Sequence, residues 1–218
     1  MDVLAMLDEA RTATNVLEHP FYQRWSAGKL GAQELALYAG EYRQAVLALA
    51  DASRAAAEKA GPSHSDSLHR HAEEEAAHVA LWDEFAAACG TPVPAEAPAA
   101  GTLSGTRDCV QAWTAGESLL EHLAVLYAIE AGQPEISATK LQGLREHYGY
   151  VQEGPATEYF SLHQVRDVAH AQAARELIVE LMAGEPDADA LTERMLTRAR
   201  QALQGNWALL DSVEAASA

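Results

Sequence analysis

The segment His163-Gln-Val-Arg-Asp167-Val-Ala-His170 constrains this chain more than any other. At about 100° per residue in an α-helix, offsets of four and seven put His163, Asp167 and His170 on one stripe. That stripe is apolar on either side, with Tyr159 and Phe160 before it and Ala174, Leu177 and Leu181 after it. Two imidazoles and a carboxylate therefore occupy a face that should pack against a core. Each neutral polar group buried there without a partner costs roughly 2–7 kcal/mol, and a charge costs more. A metal ion satisfies the set, because His and Asp together suit iron, manganese or zinc. An internal salt-bridge network would satisfy it too.

Two further segments share this oddity. In His71-Ala-Glu73-Glu74-Glu75-Ala-Ala-His78 the two histidines are seven apart and point the same way. Glu75 and Glu74 lie three and four residues before His78, and the stripe continues as Leu81, Trp82 and Phe85. Glu and His at that spacing can share one metal; the competing reading is a solvated acidic face with incidental histidines. Glu130 ends the stripe Leu119, Leu123, Leu126 and Tyr127. Pro134, four residues on, lacks the N–H that would normally bond the Glu130 carbonyl, so the backbone there is irregular. Together the three segments offer Glu75 (or Glu74), His78, Glu130, His163, Asp167 and His170. Two metals bridged by carboxylates in a helical bundle use this mixture. The absence of thiolates favours iron or manganese over structural zinc. Open coordination positions on such a centre suit dioxygen activation.

The rest of the chain supports an all-α fold. Helical patterns run over 3–18, 20–25, 32–60, 63–89, 106–126, 137–147, 156–183 and 188–213, with a loop over Gly90–Gly105. His19-Pro20, Gly61-Pro62, Pro134 and Gly154-Pro155 punctuate them. No run alternates with period two, and Ala, Leu, Glu, Gln and Arg dominate. The 218 residues suffice for a real core, and one domain over 1–218 is expected. With 15 Lys+Arg against 32 Asp+Glu, the formal charge of −17 argues against nucleic acid or an anionic membrane as partner. Cys89 and Cys109 form no CxxC or similar pair, so neither a zinc knuckle nor a disulfide framework is expected. Residues 1–10 show no signal-peptide pattern and no segment has the length of a membrane span. A cytoplasmic location is expected.

These residues carry a resemblance. The stretches LEHPFYQRWSAGKL, HVALWDEF, AGESLLEHLAVLYAIE and HQVRDVAH resemble the haem-oxygenase-like dimetal oxidases, which share the TenA/PqqC-like fold. Within that superfamily the chain is most similar to the CADD-like para-aminobenzoate synthases, from about Leu17 to Leu210. The resemblance implies a bundle of about seven helices holding two iron or manganese ions, with dioxygen and a reductant as co-reactants. It implies ligand roles for His78, Glu130, His163, Asp167 and His170. The family's first-ligand glutamate falls on His71. Glu75 is expected to substitute for it, with Glu74 next and His71 third. The resemblance further implies that 4-aminobenzoate, a folate precursor, is made by sacrificing the enzyme's own Tyr22, with Lys140 as amino donor. Tyr38 matches a tyrosine near the family's site, and Ile129 replaces another. Read without the resemblance, Tyr22 is an ordinary half-buried aromatic and Lys140 a solvated lysine. A homodimer is expected.

Other functions leave different marks. A dimetal oxidase acting on an external small amine, amino acid or fatty acid would share the ligand set. A cofactor-free oxidase similar to pyrroloquinoline-quinone synthase should present a basic site, whereas these stripes are acidic. A thiaminase-type hydrolase needs a cysteine near Glu130, and residues 127–140 contain none. Haem oxygenase uses one early axial histidine, for which His19 is the only candidate, and that leaves six ligands unexplained. A non-catalytic binding module should carry no metal as purified.

Overall fold

The computed structural model describes residues 2–91, 102–150 and 154–217. The centre of the expected Gly90–Gly105 loop and part of the break before Gly154 lie outside the described residues. Among the described residues the chain is helical throughout its regular structure: α1 (Val3–Ala13), a 3-10 turn (Val16–Glu18), α2 (Pro20–Ser26), α3 (Ala32–Glu58), α4 (Ser65–Ala88), α5 (Ser104–Thr114), α6 (Leu119–Glu130), α7 (Gln133–Glu146), α8 (Pro155–Met182) and α9 (Ala188–Ser217). These nine α-helices are close to the expected seven or so. The additional helix arises because the single pattern expected over 106–126 is two helices, α5 and α6, separated at 115–118.

Local chemistry sets the boundaries. Asp2 caps α1, its Oδ1 accepting from the Leu4 N–H at 3.1 Å. The helix expected over 3–18 stops at Ala13, because Thr14 leaves helical geometry and the Asn15 side chain accepts from the Leu17 N–H at 3.1 Å. His19 caps α2, its Nδ1 accepting from the Phe21 N–H at 3.0 Å. Pro20, Pro134 and Pro155 all sit in first turns, where their missing N–H goes unused. Pro134 thus begins α7 rather than kinking one continuous helix. Ser118 caps α6 through the Glu121 N–H at 3.2 Å.

The arrangement follows from α6. Every residue from Leu120 to Glu130 is buried, so this helix needs neighbours on all sides. It packs against α3, α8 and α9, while α4 lies between α3 and α8. The second flank is built by α5 on α9 and by α7 on α8. One apolar cluster joins α2, α3 and α7 with parts of α4, α5, α6 and α8 and the C-terminal half of α9, and contains Tyr22, Tyr38, Trp82 and Ile129. A second joins α1, the other face of α6, and the ends of α8 and α9. Among the described residues no helix is long and apolar enough to cross a membrane.

The α5–α9 contact is closer than side chains allow. A Cβ on Gly105 would lie 2.1 Å from the Ala208 carbonyl oxygen, and one on Gly205 would lie 2.9 Å from Cys109 Cα. Both clashes fall on backbone, which cannot swing aside. Gly105→Ala should therefore destabilise the protein by about 2 kcal/mol through overpacking. Urea unfolding followed by circular dichroism should show a lower midpoint with an unchanged slope.

Candidate metal centre

Three helices bring the polar stripes together. His71, Glu75 and His78 project from α4, Glu130 from the end of α6, and His163, Asp167 and His170 from α8. Two groups of donor atoms result, each with all its atoms within 4.8 Å of one another. One contains His71, Glu75, Glu130 and His170; the other contains Glu75, His78 and His163. Glu75 belongs to both. Its Oε1 lies 3.3 Å from His78 Nδ1, 3.4 Å from His170 Nδ1 and 3.7 Å from His71 Nε2. Glu130 Oε1 lies 3.0 Å from His71 Nε2. Asp167 is buried beside these groups, its Oδ1 3.8 Å from His170 Nδ1.

These atoms face one another without forming hydrogen bonds. His71 Nε2, Glu75 Oε1, His78 Nδ1, both Glu130 oxygens, His163 Nε2, both Asp167 oxygens and His170 Nδ1 are all buried and lack a hydrogen-bond partner. So dense a set of orphaned buried polar atoms is unusual in a native fold. The outer nitrogens, by contrast, are held. His163 Nδ1 donates to the Tyr159 carbonyl at 2.7 Å, which leaves the Nε2 lone pair facing inward. His170 Nε2 lies 3.0 Å from Glu74 Oε2, and Arg166 Nε donates to the same carboxylate at 3.0 Å. Outer partners that fix ring orientation this way are the usual second layer of a metal site. Imidazole and carboxylate donors without thiolate can hold a first-row divalent metal such as iron.

Electrostatics point the same way. Burial pushes the Asp167 carboxyl up to about 9, with the nearby Glu130 and Glu75 charges adding to it. Burial also raises Glu75, but the imidazoles of His170 and His78 outweigh that and hold it well below the usual carboxylate range. Burial lowers His163 to about 4, so its ring is neutral at pH 7 and available as a donor. Burial opposes the charged form of His71 too, yet Glu130 and Glu75 raise it overall. A cation bound among these carboxylates would favour their charged forms and offset the cost of their burial.

A cleft of about 430 Å³ opens over His71 and His170. Leu68, Leu123, Leu126 and Leu177 line it, with Arg70 and Arg166 among its polar residues.

Tyr22, Tyr38 and Lys140 form a separate chamber. Lys140 is 1 % exposed despite its charge. Its Nζ lies 4.7 Å from the Tyr42 ring centroid and 5.2–5.6 Å from those of Phe160, Tyr38, Tyr22 and Trp82. No described carboxylate pairs with it. Burial lowers the amine to about 7. The Tyr22 and Tyr38 hydroxyls are 3.4 Å apart, and burial raises both phenols well above their usual acidity range. The break between α6 and α7 is what turns Lys140 inward, since a straight helix would carry it away from Glu130. Tyr159 stands between chamber and metal-capable groups. It stacks on His163 with centroids 3.9 Å apart and meets Trp82 at 4.9 Å.

Several positions reached here carry weaker sequence signals. Glu74, a candidate replacement for the missing glutamate, is drawn outward by Arg166 and supports His170 instead. His71 joins the first donor group together with Glu75. Tyr159 was legible only as an apolar residue one turn before His163. Tyr42, Trp82 and Phe160 gave no cue to an amine cage. Ile129 packs in the same cluster as Tyr22 and Tyr38.

Comparison with known proteins agrees with this architecture. The fold resembles a TenA homologue from Pseudomonas syringae, with a TM-score of 0.78 and 21% identity over 98% of this chain and 91% of that one. It also resembles a haem-oxygenase-fold domain from Shewanella denitrificans, with a TM-score of 0.77 and 17% identity over 99% and 93%. Residues 38–207 match the family described as iron-containing redox enzymes, and the chain belongs to that family. It is an oxidase. Among its relatives, the 4-aminobenzoate synthase of Chlamydia muridarum is 30% identical over 97% of this chain and 90% of that protein. That of Nitrosomonas europaea is 31% identical over 95% and 89%.

Lys140 supplies a test of the chamber independent of any reaction. Its pKa falls from 10.5 unfolded to about 7 folded. Between those values the unfolded chain holds a proton that the folded chain lacks, so this group makes stability rise with pH across that window. Lys140→Met should raise the urea midpoint most at about pH 6–7, and its advantage should shrink towards about pH 10.

Proposed function

We propose that this protein is an oxygen-dependent dimetal oxidase that forms 4-aminobenzoate, taking the ring from its own Tyr22 and the nitrogen from Lys140. What supports this reading is the pairing of a buried, uncompensated lysine with Tyr22 in one aromatic chamber, in a chain whose relatives are 4-aminobenzoate synthases.

Glu75, His78, Glu130, His163, Asp167 and His170, joined by His71, would hold two iron or manganese ions, with Glu75 common to both positions. When bound, such a pair supplies the redox chemistry that activates dioxygen. The chain's own residues do the rest. The Tyr159 carbonyl and the Glu74–Arg166 pair keep His163 and His170 turned inward. Rings around Lys140 exclude water and disfavour its ammonium, so near pH 7 a large share is free amine. A free amine is the form that can act as a nucleophile. The Tyr22 phenol stays protonated, with its hydroxyl beside that of Tyr38. Dioxygen is the oxidant, an external reductant supplies electrons, and both side chains are consumed.

A second reading, oxidation of an external amine, amino acid or fatty acid, draws on the cleft over His71 and His170, whose leucine walls and arginines suit an amphiphilic carboxylate.

Metal content tests the first part. Protein loaded with excess Fe(II) under nitrogen should retain two ions per chain, and Glu75→Gln should lower both stoichiometry and affinity. Retention of none by the wild type refutes the dimetal centre. Product formation tests the second part. Protein grown with ring-labelled tyrosine, metal-loaded and given oxygen and reductant, should release labelled 4-aminobenzoate at no more than about one per chain, and Tyr22→Phe and Lys140→Arg should each abolish it. Oxygen consumption without labelled product would favour the external substrate.

A further inference from the structure

The metal-capable cluster and the lysine chamber are separate, yet oxidation at one must reach a ring in the other if the function proposed above holds. Tyr22, Tyr38 and Lys140 are almost wholly buried, which keeps a water-borne oxidant away from them. Rings span the gap instead. His78 and His163 meet with centroids 4.6 Å apart, and Tyr159 stacks on His163 at 3.9 Å. Trp82 meets Tyr159 at 4.9 Å and Tyr38 at 6.0 Å, and the Tyr38 hydroxyl lies 3.4 Å from that of Tyr22. Trp82 also follows His78 by one turn of α4, so it adjoins the cluster twice.

The rings around Trp82 are not equivalent. Phe85 and Phe160 touch it at 5.0 and 5.8 Å, but a phenyl ring gives up an electron far less readily than an indole or a phenol. A phenol loses an electron easily only when its proton leaves too, which requires a base. The indole of Trp82 has no such need. Its N–H donates to the Ala39 carbonyl at 2.8 Å, an acceptor too weak to take the proton, so its oxidised form is a radical cation that keeps the N–H. Burial shields that species from water.

The phenols of the chamber do have a base. Lys140 Nζ lies 5.4 Å from the Tyr38 ring centroid and 5.5 Å from that of Tyr22. Tyr42 meets Trp82 at 5.0 Å, but its hydroxyl faces the side-chain amides of Gln133 and Asn206, which are not bases.

We propose that Trp82 is a redox relay that carries oxidising equivalents, one electron at a time, from the metal pair to the Tyr22–Tyr38 phenols, with Tyr159 as the stacked bridge. The relay rests on the function proposed above for its oxidant, the dioxygen-oxidised metal pair. Trp82 first passes one electron to that pair and becomes a radical cation. A phenol of the Tyr22–Tyr38 pair then returns one electron to Trp82, and its proton moves to the free amine of Lys140. The sum is one electron moved from phenol to metal and one proton moved from phenol to amine, with Trp82 restored. Burial holds the resulting ammonium at about 7, so it gives the proton up again readily.

Freeze-quench electron paramagnetic resonance tests the relay. The full-length, iron-loaded protein, grown with ring-deuterated tyrosine, is mixed with dioxygen and frozen within milliseconds, while Mössbauer spectra follow its iron. The wild type should form a tyrosyl radical, identified by its narrowed signal. Trp82→Phe, with the same iron content and circular dichroism, should oxidise its iron as before yet form that radical at least about tenfold more slowly. Trp82→Tyr, whose ring can be oxidised, should restore much of the rate. Phe85→Leu disturbs the packing of Trp82 off the path and should leave the rate unchanged. If Trp82→Phe fails to fold, protein grown on polyfluorinated tryptophan, with an indole of similar shape that is harder to oxidise, should show the same slowing. An unslowed radical in Trp82→Phe, or an equal loss in Phe85→Leu, would overturn the proposal. Release of labelled 4-aminobenzoate from Trp82→Phe at the wild-type rate would defeat the relay and leave the functional reading standing. A Trp82-dependent tyrosyl radical in a chain that never releases labelled 4-aminobenzoate would do the reverse.

Discussion

The structure depends on how three helices share a buried set of carboxylates and imidazoles. Glu75, Glu130 and Asp167 would repel one another at short range, and the inward atoms of the histidines around them make no hydrogen bonds. Such a cluster is tolerable only if α4, α6 and α8 meet in one register, because sliding any helix by a residue rotates its stripe by about 100°. The surrounding architecture follows from this demand. α6 is buried on every face, so it cannot drift towards solvent, and α3 and α9 hold it from behind. Arg166 and Glu74 fasten α8 to α4 at the outer edge. Binding of cations to the cluster would add to folding stability, since the unfolded chain offers no assembled site.

The same bundle keeps two incompatible environments apart. Around Glu75 the field is negative, and imidazoles there are drawn towards their charged forms, as at His71 and His170. Around Lys140 stand the rings of Tyr22, Tyr38, Tyr42, Trp82 and Phe160, and burial drives the amine towards neutrality. Had the lysine approached Glu75 or Asp167, an ion pair would have held it as ammonium and removed its nucleophilicity. Tyr159 and Trp82 enforce the separation while staying in contact with both sides. The offset between α6 and α7 does the complementary work, placing Glu130 on one side of this partition and Lys140 on the other.

Much of this is legible in the sequence, and for identifiable reasons. Helical periodicity is local, so the stripes of His163, Asp167 and His170 and of His71, Glu75 and His78 could be read directly. Glu130 was legible because a carboxylate at the end of a leucine stripe is anomalous. Pro134 announced a break but not its direction, which depends on how α7 packs on α8 and α2. Glu74 and Glu75 could not be separated by spacing alone, since both lie within reach of His78. What separates them is Arg166, ninety-two residues away, which draws Glu74 outward. The amine cage is the hardest case. Its rings come from α2, α3, α4 and α8, and each at its own position is an ordinary core aromatic. Only the resemblance lifted Lys140 and Tyr22 out of that background.

Energetics give the chamber its meaning. A lysine buried without a carboxylate works against folding at neutral pH, because the unfolded chain binds a proton the folded chain largely cannot keep. Five aromatic faces recover part of this through cation–π attraction when the proton is present, yet none neutralises the charge. A methionine of similar length would fill the same space without that penalty. Selection for stability alone therefore has no use for Lys140, while chemistry that requires an unprotonated amine sheltered from water has one. Destabilising polar groups held in this way are characteristic of functional sites. The metal-capable cluster obeys the same logic in opposite charge, and one fold carries both costs because its remaining helices are packed so closely, down to the glycine contacts between α5 and α9.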